Sequence, residues 1–170
     1  MLYLLDANVL IDADRDYYPV DRVPEFWDWL AEMAEQGRVK VPEEMYEEVV
    51  LPTPKPPDPL VEWSRDNRDA LVLDEPVVAE LVDRVTREGY ADDLTDDELV
   101  KVGRDPFIIA YALAGDHGTR EVVTTEISRP SRKRANRHLP DVCGQFAILC
   151  INTFKLIQDL DFRTDWRTRP

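Results

Sequence analysis

The stretch LYLLDANVLIDADRD, residues 2–16, runs from four apolar or aromatic side chains, Leu2 to Leu5, straight into a carboxylate, Asp6. It turns apolar again at Val9, Leu10 and Ile11. A short continuous apolar run is the pattern of a strand covered on both faces, as in a parallel sheet. Asn8–Asp12 can then begin a helix. Asp6 therefore stands at a strand-to-helix junction. It either caps the helix by accepting hydrogen bonds from the first turn, or it is held at the lip of a sheet for chemistry.

Outward from this stretch the alternation continues. Pro24 opens a helix with Phe26, Trp29, Leu30 and Met33 at helical spacing and Gly37 as its stop. RVKV (38–41) reads as a second strand, and Pro42 starts the short acidic helix PEEMYEEVV. LPTPKPPDPL (51–60) carries five prolines and reads as an extended connector. Pro76 is expected to open a helix that buries Val78, Leu81, Val82 and Val85 and ends at Gly89. The acidic YADDLTDDELV (90–100) reads as loop plus short helix, so 52–100 forms a helical insertion within one domain, residues 1–170. RDPFIIAYALAG (104–115) is a helix with Ile108, Tyr111, Ala112 and Gly115 on one face. EVVTT (121–125) is a strand, SRPSRKRANRH (128–138) a basic loop and PDVCGQF (140–146) helical. ILCIN (148–152) is a strand and TFKLIQDL (153–160) a closing helix. The fold class is therefore α/β, a mainly parallel sheet with helices on both faces. In such sheets, sites form where strand ends meet helix starts.

The 170 residues are 44% apolar, enough for a core without staples. Lys plus Arg number 21 against 35 Asp plus Glu, a net charge of −14. An acidic surface repels nucleic acid, so any such role needs a local basic patch. Cys143 and Cys150 lie in apolar surroundings without nearby histidines. They read as buried reduced thiols of a cytoplasmic protein, not as a zinc site. The apolar start is too short for a signal peptide, and no stretch is long enough to span a membrane.

Four acids fall at or near the junctions: Asp6, Glu48, Asp105 and Glu126. Each has a bland explanation. Asp105 before Pro106 is the favoured N-cap and N1 pair, and alone it reads as a cap. Glu43, Glu44 and Glu47 compete with Glu48, with Glu44 its closest rival. Together the four fit Mg²⁺ or Mn²⁺, which take hard oxygen ligands. Such ions activate water and stabilise charge on a phosphodiester without a side-chain nucleophile. His117 and His138 read as structural or exposed.

These residues resemble a family. YLLDANVLIDA is similar to the opening of a PIN-domain ribonuclease, whose first strand ends in Asp followed two residues later by Ser, Thr or Asn; here these are Asp6 and Asn8. VKVPEEMYEEV resembles the segment carrying the family's Glu, aligned with Glu48, and RDPFIIAYALA the segment with the third acid, Asp105. EVVTTE resembles the strand ending V-T-x-D, with Glu126 where Asp is usual. PDVCGQFAILCINTFKLI resembles the C-terminal end of a PIN-like subfamily. The resemblance implies a three-layer α/β/α fold and Mg²⁺- or Mn²⁺-dependent RNA cleavage. Asp6, Glu48, Asp105 and Glu126 would hold metal, and Asn8 would orient Asp6 or a water. Many relatives are toxins of toxin–antitoxin modules, so an antitoxin partner is implied, and the reading leaves room for a homodimer.

The rivals are a PIN-like binding module that has lost turnover, and an aspartyl-phosphate phosphatase. The latter wants an acid two residues after the first Asp, where Asn8 cannot transfer a proton. The basic loop is the second signal. Arg129, Arg132, Lys133, Arg134 and Arg137 occur without an acid between Ile127 and Pro140. Arg132, Lys133, Arg134 and Arg137 are the expected phosphate contacts for RNA. The alternative is an arm that pairs with the protein's own acids.

Overall fold

The computed structural model describes residues 1–51 and 58–168. Most of the proline-rich connector, 52–57, lies outside the described residues. Strands β1 (Leu2–Leu5), β2 (Val39–Lys40), β3 (Arg120–Val123) and β4 (Cys150–Ile151) form one parallel sheet in the order β2-β1-β3-β4. Helices flank it in a three-layer α/β/α arrangement. The apolar run at the N-terminus is the sheet's centre: Leu4 and Leu5 are fully buried and Tyr3 nearly so. From β1 the chain steps outward to β2, then returns past β1 to β3 on its other side. The strand order thus reverses between β1 and β3, and that crevice is where ligands of open α/β sheets bind.

Helix α1 (Ala7–Asp12) follows β1 and runs on into a wider π-type turn, Ala13–Tyr17, which the sequence pattern did not reveal. Helix α2 (Pro24–Glu35) buries Phe26, Trp27, Trp29 and Leu30, with Tyr18 stacked on Phe26 at 4.4 Å between ring centres. Helix α3 is Glu43–Val50.

The insertion departs most from expectation. Pro59, read as connector, instead begins α4 (Pro59–Asp66), because Asp58 before it accepts from the Val61 N–H at 3.1 Å. The Asp-Pro pair is an N-cap and N1 signal hidden by the density of prolines. A short α5 (Arg68–Leu71) follows, and Val72 pairs with Val41 in a parallel bridge beyond β2. Pro76 opens no helix. Helix α6 begins at Ala79, ends at Arg84, and widens into a π-type turn, Val85–Tyr90. Of the expected buried stripe only Val85 is fully inside; Leu81 and Val82 are half-buried and Val78 is exposed. Thr95 and Glu98 form a reciprocal capping box that starts α7 (Asp96–Val102).

Helix α8 (Asp105–Ala114) buries Ile108, Ile109, Ala110, Tyr111 and Ala112. A helix apolar nearly all round is an interior helix, and Gly115 lies just past its end. Helices α9 (Leu139–Gln145) and α10 (Thr153–Asp159) bracket β4. Cys143 is buried, Cys150 half-buried, and both are free thiols. Among the described residues, no helix is long and apolar enough to cross a membrane.

Gly89 does not stop α6. It sits inside the wide turn because α9 packs against it. A Cβ there would lie 2.6 Å from Val142 Cγ1 and 3.2 Å from Phe146 Cε2. Val142 is fully buried and cannot retreat. Gly89→Ala is therefore expected to destabilise the fold by about 1–3 kcal/mol through overpacking. Urea unfolding measures it, and an unchanged midpoint would show that the insertion does not pack on α9.

Candidate active site

The site begins with register. Leu5 pairs with Val123, and the Asp6 N–H donates to the Val123 carbonyl at 2.9 Å. One residue further on, Asp6 and Thr124 meet: the Thr124 hydroxyl donates to Asp6 Oδ2 at 2.7 Å. Asn8 Nδ2 approaches the same oxygen at 3.4 Å. Asp6 occupies the N-cap position of α1 but makes no side-chain cap bond. Its carboxylate faces the sheet end rather than the helix. Thr124, fully buried, also accepts from the Glu126 N–H at 3.2 Å. Glu126 Oε2 in turn accepts from the Leu139 N–H at 2.8 Å and lies 3.6 Å from His138 Nδ1.

Asp105 is the first residue of α8, not its cap. Arg104 holds the cap position, and Asp105 makes no cap bond. Its Oδ2 accepts from the Tyr90 hydroxyl at 3.2 Å. Tyr90 is buried and belongs to the insertion, which therefore reaches into the site. Arg104 ties α8 to α3: Nη1 donates to the Glu44 carbonyl at 2.6 Å and meets Glu47 at 2.7 Å, while Nε lies 4.0 Å from Glu48. Glu44 itself stands beside Tyr111, whose hydroxyl is pushed up to about 12 by burial and by that carboxylate. The charge of Asp6 reaches Glu48 on the same helix.

The four acids feel one another. Burial raises the pKa of Asp6 against the lowering effect of the Thr124 hydrogen bond, and the charge of Glu126 raises it further. Burial and then Asp6 raise Glu48. Burial, Asp6, Glu126 and Glu48 together push Asp105 up to about 7. As the side chains stand, each carboxylate is turned to a partner of its own. Among the described residues, no three Asp, Glu, His or Cys side chains are grouped closely enough to hold a metal ion.

A cavity of about 370 Å³ opens beside this cluster, lined by Asp105, Glu126, Lys101, Arg132, Arg137 and His138 among others. The basic loop divides into two parts. Arg134 forks onto Glu98 at 2.7 and 2.8 Å and onto Asp93 at 2.6 Å, which holds it at a left-handed φ of +54°. Arg137 donates to the Gly89 and Asp141 carbonyls. These two cations lock the loop to the insertion and to α9. Arg132 and Lys133 are exposed, and Arg132 reaches the cavity.

Sequence reasoning did not single out Thr124, Tyr90 or Arg104, and it read His138 as structural or exposed. Thr124 lay within the strand-end pattern and was readable there as Asp6's neighbour across the sheet. Tyr90 carries no local signal, since only the docking of the insertion brings it to Asp105.

The raised pKa of Asp105 has a definite pH consequence. Above the ordinary carboxylate range of 3.8, the unfolded chain has released this proton; the folded chain keeps it up to about 7. Raising the pH through this window therefore destabilises the folded protein without divalent cations, by on the order of 4 kcal/mol. Glu98, held down to about 2 by Arg134, opposes the effect only where the unfolded chain's Glu98 still titrates, around 4.5, and is ionised in both states well above that. Urea midpoints in chelator should fall between pH 5 and pH 8, and Asp105→Asn should flatten the fall. A variant with the wild-type pH dependence would place the titration elsewhere.

The chain matches no curated protein and no solved structure. Residues 3–164 match a family described as a domain of unknown function. That span takes in β1 from Tyr3 on, Asp6, Glu48, Asp105, Glu126, the basic loop and α10, so the whole site lies within the shared domain. The chain belongs to the DUF4411 family.

Proposed function

We propose that this chain is a PIN-like ribonuclease that hydrolyses RNA phosphodiester bonds with Mg²⁺ or Mn²⁺. One observation carries the reading: four carboxylates from separate parts of the chain repel one another at the β1/β3 switch point, against the cost of burial. Like charges gathered around one buried carboxylate, Asp6, with Asp105 and Glu126 half-buried and Glu48 exposed, are costly, and a divalent cation offsets that cost. The donor set is hard oxygen, which suits Mg²⁺ or Mn²⁺. Asp6, Glu48, Asp105 and Glu126 would hold the ion, with Asp6 keeping its Thr124 hydrogen bond and Glu126 turning from the Leu139 N–H. When bound, the ion supplies an activated water and offsets charge on the phosphodiester.

The chain's own residues supply positioning. Thr124 and Asn8 orient Asp6. Tyr90 orients Asp105, and Arg104 keeps Glu48 near the cluster. Arg132 at the cavity and the exposed Lys133 next to it in the chain offer cations for the RNA backbone, whereas Arg134 and Arg137 are committed to holding the loop. A toxin role with an antitoxin partner rests on the resemblance to PIN-domain toxins, as does a homodimer.

Mn²⁺ or Mg²⁺ should raise the melting temperature, since binding only to the folded state stabilises by about 2.7 kcal/mol at ~100 times Kd. Asp6→Asn should lose most of that rise. Asp105→Asn should keep its fold and lose RNA cleavage. An equal thermal shift in wild type and Asp6→Asn would put the metal elsewhere. RNA binding without cleavage under either metal would establish the alternative, a PIN-like binding module.

A further inference from the structure

Beyond Glu126 lies a second, larger cavity of about 490 Å³, at the carboxyl ends of β3 and β4. Glu126 belongs to the walls of both cavities, so the two adjoin. Their linings differ in chemistry. Among the described residues, no Lys or Arg lines the larger one, and Glu126 is its only charged residue. A phosphate finds no cation there and meets a carboxylate, so the cavity does not suit the RNA backbone.

Its other features suit a flat, neutral group. Tyr17 and Phe154 stand at its edge, 51% and 50% exposed, with their rings edge-to-face at 5.4 Å and 77°. Ile127, 74% exposed, lies beside them. Tyr17, Ile127 and Phe154 thus gather part of the protein's exposed large apolar surface around one opening. The polar wall is incompletely satisfied. Thr153, itself buried, has a hydroxyl without a hydrogen-bond partner, and Asn152 uses its side-chain oxygen on the Lys155 N–H at 2.8 Å. Its amide nitrogen is left to donate.

We propose that this cavity receives one unpaired base of a single-stranded RNA, stacked on Phe154 with Tyr17 against its edge, while the adjoining phosphodiester lies in the carboxylate cavity. The proposal rests on RNA being the ligand of the neighbouring site. Aromatic side chains stack on any base, so the cavity grips the base next to the bond without dictating its identity. A base held in a duplex cannot enter, because its faces are already stacked. The site therefore selects single strands, loops and ends.

Fluorescence anisotropy with a labelled single-stranded oligoribonucleotide tests this, with Ca²⁺ replacing Mg²⁺ or Mn²⁺ so that binding is read apart from cleavage. Phe154→Ala should weaken binding about fivefold or more, and Tyr17→Ala should weaken it in the same direction. Phe154→Trp should retain affinity, which excludes a merely structural effect. The duplex of the same sequence should bind more weakly, and equally to wild type and Phe154→Ala. Single-strand affinity unchanged in a folded Phe154→Ala variant overturns the proposal, as does wild type that binds no single strand. Cleavage is then measured separately with Mn²⁺. Phe154-dependent binding without cleavage leaves the base site standing and removes the ribonuclease reading. Cleavage with a KM indifferent to Phe154 does the reverse.

Discussion

The site depends on one buried hydroxyl, Thr124 Oγ1, which donates to Asp6 at 2.7 Å and accepts from the Glu126 N–H at 3.2 Å. It joins two acids from opposite ends of the chain. The joint exists because β1 and β3 are adjacent, parallel and in a register that pairs Leu5 with Val123. A one-residue slip would turn Thr124 to the other face of the sheet and leave a carboxylate, 5% exposed, with no buried donor. Burial of Leu4, Leu5, Val122 and Val123 forbids that slip. The core thus fixes the chemistry through register.

The second constraint is electrostatic. In a chain of net charge −14, the basic loop reads as a surface aimed at an acidic ligand. The fold divides that charge. The acidic insertion takes Arg134 through Asp93 and Glu98, and Arg137 is spent on backbone carbonyls and Gln145. Exposed ion pairs contribute little to stability singly, but a guanidinium forked between two acids fixes direction as well as distance. The consequence is a loop ordered on one side, with Arg132 and Lys133 left on the other. The same insertion brings Tyr90 to Asp105. It is a working wall of the site rather than a cover.

Much of this was legible in the sequence, for a physical reason. The runs at 2–5, 38–41, 121–125 and 148–152 are short and apolar, and helix formers separate them. That pattern admits few arrangements besides a parallel sheet; β1, β2 and β4 lie within these stretches, and β3 starts one residue before its own, at Arg120. Asp6, Asp105 and Glu126 were legible as acids at strand and helix ends, and each feels the charge of another; Glu48 lies inside α3 and was singled out by the resemblance alone. The insertion was less legible. Its helices are short, α6 buries no residue fully, and α4 is masked by flanking prolines. Periodicity needs a long buried face to register, and here capping by Asp58 and Thr95 sets the helix starts instead. Tyr90 could not be read at all, since its role comes from tertiary docking.

Glu126 is the point where these constraints compete. Its backbone is pinned to Thr124, while its carboxylate accepts the first N–H of α9 at 2.8 Å. A single cap-type bond of this kind is worth about 1 kcal/mol. The repulsion it stands beside is larger: at neutral pH, ionising Asp105, whose pKa lies near 7, works against burial and three neighbouring carboxylates. A divalent cation placed among these acids would therefore draw Glu126 away from Leu139 at small cost. The extra methylene of Glu, relative to the Asp usual in PIN-like strand ends, carries the carboxylate to α9, and a turn toward a bound cation would give up that contact. Under the proposed chemistry, that turn makes Glu126 the ligand that moves, while Asp6, held by a buried hydroxyl in a fixed register, is the one that stays.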